Sequence, residues 1–173
     1  RVKDRAYENI TGRLGTCALV AVTGGTNIED IGEHAFSSGA LEDAIFSSGR
    51  LVAVGDLAFY NNPWLTRVEL GSSLQTIGRY AFTETPRLSS INLPDSVTTI
   101  GEGAFFGSGL TNIAIPSGVT KIELGAFGSI DGLRQVTMSN GVTAIERQAF
   151  IISPITKLTM SQNIQTIGAF AFY

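Results

Sequence analysis

The side chains that could do chemistry are few and poorly arranged for it. The 173-residue chain holds one histidine, His34, and one cysteine, Cys17. A Ser-His-Asp relay could only use His34, and no Gly-x-Ser-x-Gly elbow accompanies it. Positions spaced like His34 hold Leu57, Tyr80, Gly103, Gly125, Gln148 and Phe170, so a solvated loop residue is the better reading than a base or ligand. Cys17 lies in the apolar run Cys17-Ala-Leu-Val-Ala-Val22, with only Arg13 near enough to lower its pKa, and reads as a small buried hydrophobe. The acid pairs Glu29/Asp30 and Glu42/Asp43 are adjacent in sequence, which sends their side chains to opposite faces of a strand. Gly101-Glu-Gly-Ala-Phe-Phe-Gly107 has the wrong spacing for a phosphate loop. A lone cysteine excludes an intrachain disulfide and a multi-cysteine zinc site, and no cluster of metal ligands stands out. The expectation is a non-enzyme with no catalytic residue, no metal and no cofactor.

Composition narrows the class further. The chain is 43% apolar and 16% charged, enough apolar material for a continuous core in a single domain. Twelve Lys+Arg against 15 Asp+Glu give a net charge of −3 with no basic run, which argues against a nucleic-acid partner. The longest apolar run falls far short of the roughly 20 residues of a membrane span. The opening residues Arg1-Val-Lys-Asp-Arg5 include no initiator Met and no hydrophobic leader, so any targeting peptide is expected to have been removed already.

What must position these residues is a repeat. Ala-Phe occurs at 35–36, 58–59, 81–82, 104–105, 126–127, 149–150 and 171–172, in steps of 23, 23, 23, 22, 23 and 22 residues. A second column precedes each Ala by four: Ile31, Val54, Ile77, Ile100, Ile122, Ile145 and Ile167. Gly follows it except at Glu123 and Glu146. The full register reads Leu88-x-x-Ile91-x-Leu93-Pro94-x-x-Val97-x-x-Ile100-Gly101-x-x-Ala104-Phe105. The alternating Leu-x-x-Ile-x-Leu part predicts a short strand with one buried face, ended by Gly71, Pro94 or Pro116. The Val-x-x-Ile part suits a half-turn or a second short strand, and Gly-x-x-Ala-Phe a tight corner. No unit can bury its inward side chains alone, so neighbours must stack, with each Phe above the next. The prediction is a single-domain, right-handed-type β-solenoid, mostly short parallel strands and loops.

The register at 88–105 resembles the BspA-like leucine-rich repeat, and the resemblance covers residues 28–173. It departs from the commoner leucine-rich pattern, which carries Asn or Cys after the strand. The resemblance implies a secreted or surface-attached interaction protein, often serving adhesion, and brings no catalytic motif. Binding to a protein, or to a glycan, is therefore the leading expectation for function, at the cell surface or outside the cell. The alternative is a structural scaffold subunit of a larger intracellular assembly. Residues 1–27 are expected to form an irregular capping segment, with an atypical first strand within 14–26. The array is expected to continue past Tyr173, or its end to be covered by another chain. Asn9-Ile-Thr11 is a glycosylation sequon, meaningful only for a secreted eukaryotic chain.

The outward columns are the candidate binding surface. On the strand they run Asp43, Arg67, Ser90, Asn112, Gln135, Lys157 and Ile45, Glu69, Asn92, Ala114, Thr137, Thr159. They form either a polar ladder whose members bond to one another and to water, or a recognition face. Arg67, Glu69 and Asn92 are its candidate contacts. A Thr-rich column at Gln75, Thr98, Thr120, Thr143 and Gln165 raises ordered-water binding, which Lys121, Ala144 and the two Gln interrupt. Tyr60, Phe106, Ile151 and Tyr173 follow Ala-Phe, and Trp64 precedes Leu65; these are the candidate apolar protein contacts, with Tyr60 and Trp64 as anchors.

Overall fold

The computed structural model describes residues 19–47 and 49–173. Cys17, Arg13 and the Asn9 sequon lie outside the described residues, as does most of the expected N-terminal cap. Among the described residues the chain forms thirteen short strands. In order they are β1 Ala21–Thr23, β2 Asp30–Ile31, β3 Asp43–Phe46, β4 Ala53–Val54, β5 Arg67–Leu70 and β6 Thr76–Ile77. There follow β7 Thr99–Ile100, β8 Asn112–Ile115, β9 Lys121–Ile122, β10 Gln135–Met138, β11 Ala144–Ile145, β12 Lys157–Thr159 and β13 Thr166–Ile167. Every pairing is parallel and joins equivalent residues of neighbouring turns, as Val68 with Ala44 and Val136 with Ile113. The result is a parallel β-solenoid of about six turns with no helix.

Stacking accounts for the core. Phe36, Phe59, Phe82, Phe105, Phe127, Phe150 and Phe172 stand in single file, with centroids 5.1–5.5 Å apart and planes within 3–14° of parallel. That is offset stacking repeated at the turn spacing. Phe46 leans on the file from the strand side, 6.1 Å from Phe36 and 6.2 Å from Phe59. The predicted Ile column and the Ala of each Ala-Phe are buried through the middle of the stack. In the last turn the inward residues lie open: Ile167 is 52% and Phe172 41% exposed.

The corner carries its own hydrogen-bond ladder. Each Phe amide donates to the carbonyl of the Ala one turn on, from Phe36 to Ala58 through Phe150 to Ala171, at 2.7–2.9 Å. To bend the chain twice within six residues, two positions per corner adopt positive φ. The first holds His34, Leu57, Tyr80, Gly103, Gly125, Gln148 and Phe170, at φ 54–61°; the second holds Ser38, Asn61, Glu84, Gly107, Ser129 and Ile152, at φ 53–66°. The variety at the His34 column therefore hides one backbone requirement that sequence variety alone does not reveal. The recurring Gly after the Ile column has another cause. A Cβ on Gly78 would lie 2.5 Å from the carbonyl carbon of Gly55, so backbone meets backbone there.

A buried polar column escaped the sequence reading. Three residues past Phe, Asn62 donates from Nδ2 to the carbonyls of Phe36 and Phe59 at 2.8 and 2.9 Å. Thr85 Oγ1 donates to Phe82 O at 2.8 Å, and Ser153 Oγ to Phe127 O at 2.8 Å. These side chains satisfy carbonyls that the turning chain leaves inside.

The strand ladders, unlike the corner, are interrupted. Ser90–Leu93, which the register predicts as a strand, pairs with neither β5 nor β8. The second ladder also stops between β7 and β9. Pro94 ends the unpaired segment and Pro116 faces it one turn on. Each lacks an N–H, so two ladder donors vanish from adjacent turns.

Removing one ring from the middle of the file should cost most. Phe105→Ala is expected to lower unfolding free energy by about 3–5 kcal/mol, read by urea titration. Asn62→Ala, which removes its bonds to the Phe36 and Phe59 carbonyls, should cost about 1–3 kcal/mol. Gly78→Ala should destabilise through overpacking by about 1–3 kcal/mol, whereas Gly25→Ala, with nothing within 4 Å of the added carbon, should stay within about 0.5 kcal/mol.

Candidate functional site

Where the strand ladder is interrupted, the outward face opens into a groove of about 400 Å³. Its walls are Arg67 and Glu69 on β5, Ser90 and Asn92 on the unpaired segment, and Asn112 on β8, over a floor that includes Val68 and Leu93. Arg67 and Glu69 are two apart on one strand, hence on one face. Arg67 Nε donates to Glu69 Oε1 at 3.0 Å, and a terminal guanidinium nitrogen bonds the same oxygen. That bond, with Glu69's charge and to a lesser degree Asp43's, holds the Arg67 guanidinium above its ordinary pKa. The pair is exposed, so it adds little to stability and stays available to a ligand. The structure thus brings together Arg67, Glu69 and Asn92 from two adjacent turns.

A second groove, of about 390 Å³, runs along the corner. Phe106, Ile151 and Ile152 form one wall, Glu102 and Leu124 the other, with Tyr80 and Gln148 at the ends. Tyr80 Oη donates to Glu102 Oε1 at 2.5 Å, and Arg79 holds Glu102 Oε2 at 3.2 Å. The bond to Glu102, then burial, push the Tyr80 phenol above its ordinary pKa. A third hollow, of about 640 Å³, lies at the last turn between Asp131, Ile155, Phe172 and Tyr173. Tyr173 itself is 77% exposed and meets the Phe170 ring edge-on at 5.9 Å.

The apolar candidates therefore do not form one patch. Phe106 and Ile151 share the corner groove, and Tyr173 belongs to the terminal hollow. Tyr60 is half-buried in the second corner. Trp64 is exposed, but the Arg87 guanidinium of the next turn sits 4.1 Å from its ring centroid and covers one face. Between them in the Tyr60 column come Thr83, buried with its hydroxyl bonded to Gly103 O at 2.6 Å, and Gly128, which has no side chain. Leu124 and Ile152 went unnoticed in the sequence. The available signal was that each is the large apolar exception in a column of otherwise mostly polar or small residues.

The residues with chemical potential are spent on local contacts. His34 Nδ1 lies 3.3 Å from Ser37 Oγ, and Nε2 3.8 Å from Glu33. Glu29 faces Arg50 at 3.8 Å. No group of three metal-ligating side chains occurs among the described residues. Nor is any described helix long and apolar enough to cross a membrane. Hydroxyls just before the outward ladder (Thr66, Thr111, Thr156) and in the Thr-rich column (Thr98, Thr143) each donate to a carbonyl of the preceding turn. That spends the hydroxyls of Thr98 and Thr143 that an ordered-water lattice would need.

The family model for the BspA type leucine rich repeat region matches residues 14–109 and 52–173, with six copies. The chain belongs to this family. Among solved structures, the BspA-type chain is similar to a leucine-rich repeat protein of T. pallidum, at TM-score 0.77 and 24% identity over 86% of this chain and 73% of that one. It is similar too to a leucine-rich repeat protein from Bacteroides ovatus, at TM-score 0.69 and 23% identity over 87% of this chain and 48% of that one. A leucine rich cell surface protein from Faecalibacterium prausnitzii matches at TM-score 0.68 and 29% identity, over 88% of this chain and 44% of that one. The BspA-type chain thus spans less than half the length of the latter two. A search of curated proteins finds no match.

The unpaired segment makes a direct prediction. Amides of Ser90–Leu93 should exchange hydrogen for deuterium at least about tenfold faster than those of Val136–Met138, read by NMR or peptide mass spectrometry. Equal protection would show that the strand ladder is continuous after all.

Proposed function

We propose that this BspA-type repeat module works by binding, outside the cell or on its surface, rather than by catalysis. Its interior is filled from the Ile column to the Phe file, so chemistry or recognition is left to the outward faces. The observation that carries the reading is the strand-face groove. There Arg67, Glu69, Asn92 and Asn112 present charge and amides beside backbone groups of Ser90–Leu93 that no neighbouring strand has claimed. Such an opening suits a protein segment that bonds main chain to main chain, or a glycan that takes amide and carboxylate contacts. The surface location draws on the 29%-identical Faecalibacterium relative, which is a cell surface protein. Membership in a family of interaction repeats supports binding as the role.

Two measurements test this. Intact cells of the source organism, treated with a membrane-impermeant biotin reagent, should yield the labelled protein; labelling only after lysis would place it inside and overturn the surface role. The purified chain should retain a ligand on arrays of extracellular-matrix proteins and glycans. The double variant Arg67→Ala/Asn92→Ala should weaken that retention about tenfold or more while unfolding as the parent does. Retention that the double variant leaves unchanged would remove the strand-face groove from the site.

A further inference from the structure

We propose that Asn140 is a site of spontaneous deamidation in the folded protein: the Gly141 amide nitrogen attacks the Asn140 side chain, and the Gln162 N–H of the next turn promotes the step. The product carries a carboxylate where the amide stood. This modification goes beyond the binding role and does not depend on it.

Residue order selects the position. Asn140-Gly141 is the one Asn-Gly pair in the chain, and every other asparagine is followed by Ile, Asn, Pro or Leu. The main-chain nitrogen after an asparagine can close a five-membered ring on the side-chain carbonyl. A side chain on that next residue obstructs the approach, and glycine has none. The positions equivalent to Asn140 hold Ser72, Asp95, Ser117 and Gln162, so this turn alone pairs the amide with a glycine. That glycine is itself required, because a Cβ at Gly141 would collide with the Ser117 carbonyl of the preceding turn.

The fold then prepares the reacting groups. Asn140 and Gly141 are the central residues of a turn closed by the bond from Val142 N to Ser139 O at 3.3 Å. Asn140 is exposed, so water reaches it. The Gly141 N–H donates to no group among the described residues, so its attack sacrifices no hydrogen bond. Gln162 N–H donates to Asn140 Oδ1 at 3.1 Å. Negative charge gathers on that oxygen as the nitrogen adds to Cγ, and a donor already aimed at it lowers the barrier. Asn163 Nδ2 donates to the Asn140 main-chain carbonyl at 2.8 Å, which holds the other side of the same residue.

The step needs only water. The Gly141 nitrogen gives its proton to water and bonds to Cγ; the Cγ–Nδ2 bond breaks, and ammonia leaves a cyclic imide. Water opens the imide at Cγ to aspartate, or at the main-chain carbonyl to isoaspartate. Either way one amide and one water become one carboxylate and ammonia, with no change of oxidation state. Asp95, in the equivalent place two turns earlier, shows that this type of turn accommodates a carboxylate.

The test incubates the full chain, folded, at neutral and at mildly alkaline pH, and follows it by peptide mass mapping and isoelectric focusing. Asn140 should become acidic ahead of every other asparagine, faster at the higher pH, and the chain should move to a net charge one unit more negative than its −3. Asn140→Asp, the product made outright, marks the position of the new band. Gln162 is the second residue of its own turn, a place that suits proline, so Gln162→Pro deletes the donor while keeping the bend. That variant, with the parent's unfolding midpoint, should convert at least about tenfold more slowly when folded and at the parent's rate in denaturing urea. An Asn140 that stays intact in the folded parent while the same chain converts in urea overturns the proposal, whether or not the variant folds. A folded Gln162→Pro chain that converts as fast as the parent overturns it as well.

Discussion

A single turn of this chain has an apolar side that it cannot bury, and contact with the next turn about 5 Å away is what removes that side from water. Backbone hydrogen bonds set the spacing, and aromatic rings fill it. The spacing of parallel strands, about 4.8 Å, is close to the separation at which offset rings attract, so ladder and ring file reinforce each other at every step. The amide of each Phe donates across to the next turn while its ring stacks on the next ring. One residue therefore serves both networks, which is why Phe recurs in all seven corners.

The corner is the more persistent of the solenoid's edges. Its ladder runs from the first described turn to the last, whereas both strand ladders are interrupted near the middle. For the first of these ladders the break lies beside two prolines. Pro94 and Pro116 sit at the strand ends, and the corner contains none. Two left-handed residues per corner hold the backbone in a tight double bend, and the small residue of Ala-Phe keeps neighbouring backbones close. The strand face, freed of that constraint in one turn, opens and exposes main chain beside charged side chains.

Because packing consumes the interior, variation is free only on the outside, and the two kinds of opening differ in chemistry. The strand-face groove is lined by an ion pair and amides, around a segment whose backbone groups lack strand partners. The corner groove is lined mainly by aliphatic and aromatic side chains, with the Tyr80 ring laid over Gly103 and Gly125 open beside it. One scaffold can thus offer a polar and an apolar surface on different sides of overlapping turns without any change to its core.

Ala-Phe at 22–23-residue steps and the Ile column at a constant offset were enough to assign a stacked β-solenoid, the ring file and the buried columns, because those positions repeat and repetition is visible in one dimension. The polar column of Asn62, Thr85 and Ser153 repeats as well, but less uniformly, with Gly39 and Ile130 among its members, and its role of bonding Phe carbonyls appears only in three dimensions. Which outward residues meet is a matter the residue order leaves open. Tyr60, Phe106, Ile151 and Tyr173 share a column, yet Thr83 parts Tyr60 from Phe106 while Phe106 and Ile151 close over Gly128, and Leu124 and Ile152 join them from other columns. Backbone sign is likewise silent in sequence, since Leu57, Tyr80 and Gln148 adopt the positive φ usually associated with glycine. A periodic core is written in the residue order because each inward position answers to its equivalents one turn away. A groove is decided by the tertiary structure, because it arises where lateral neighbours from different columns and turns leave space between them.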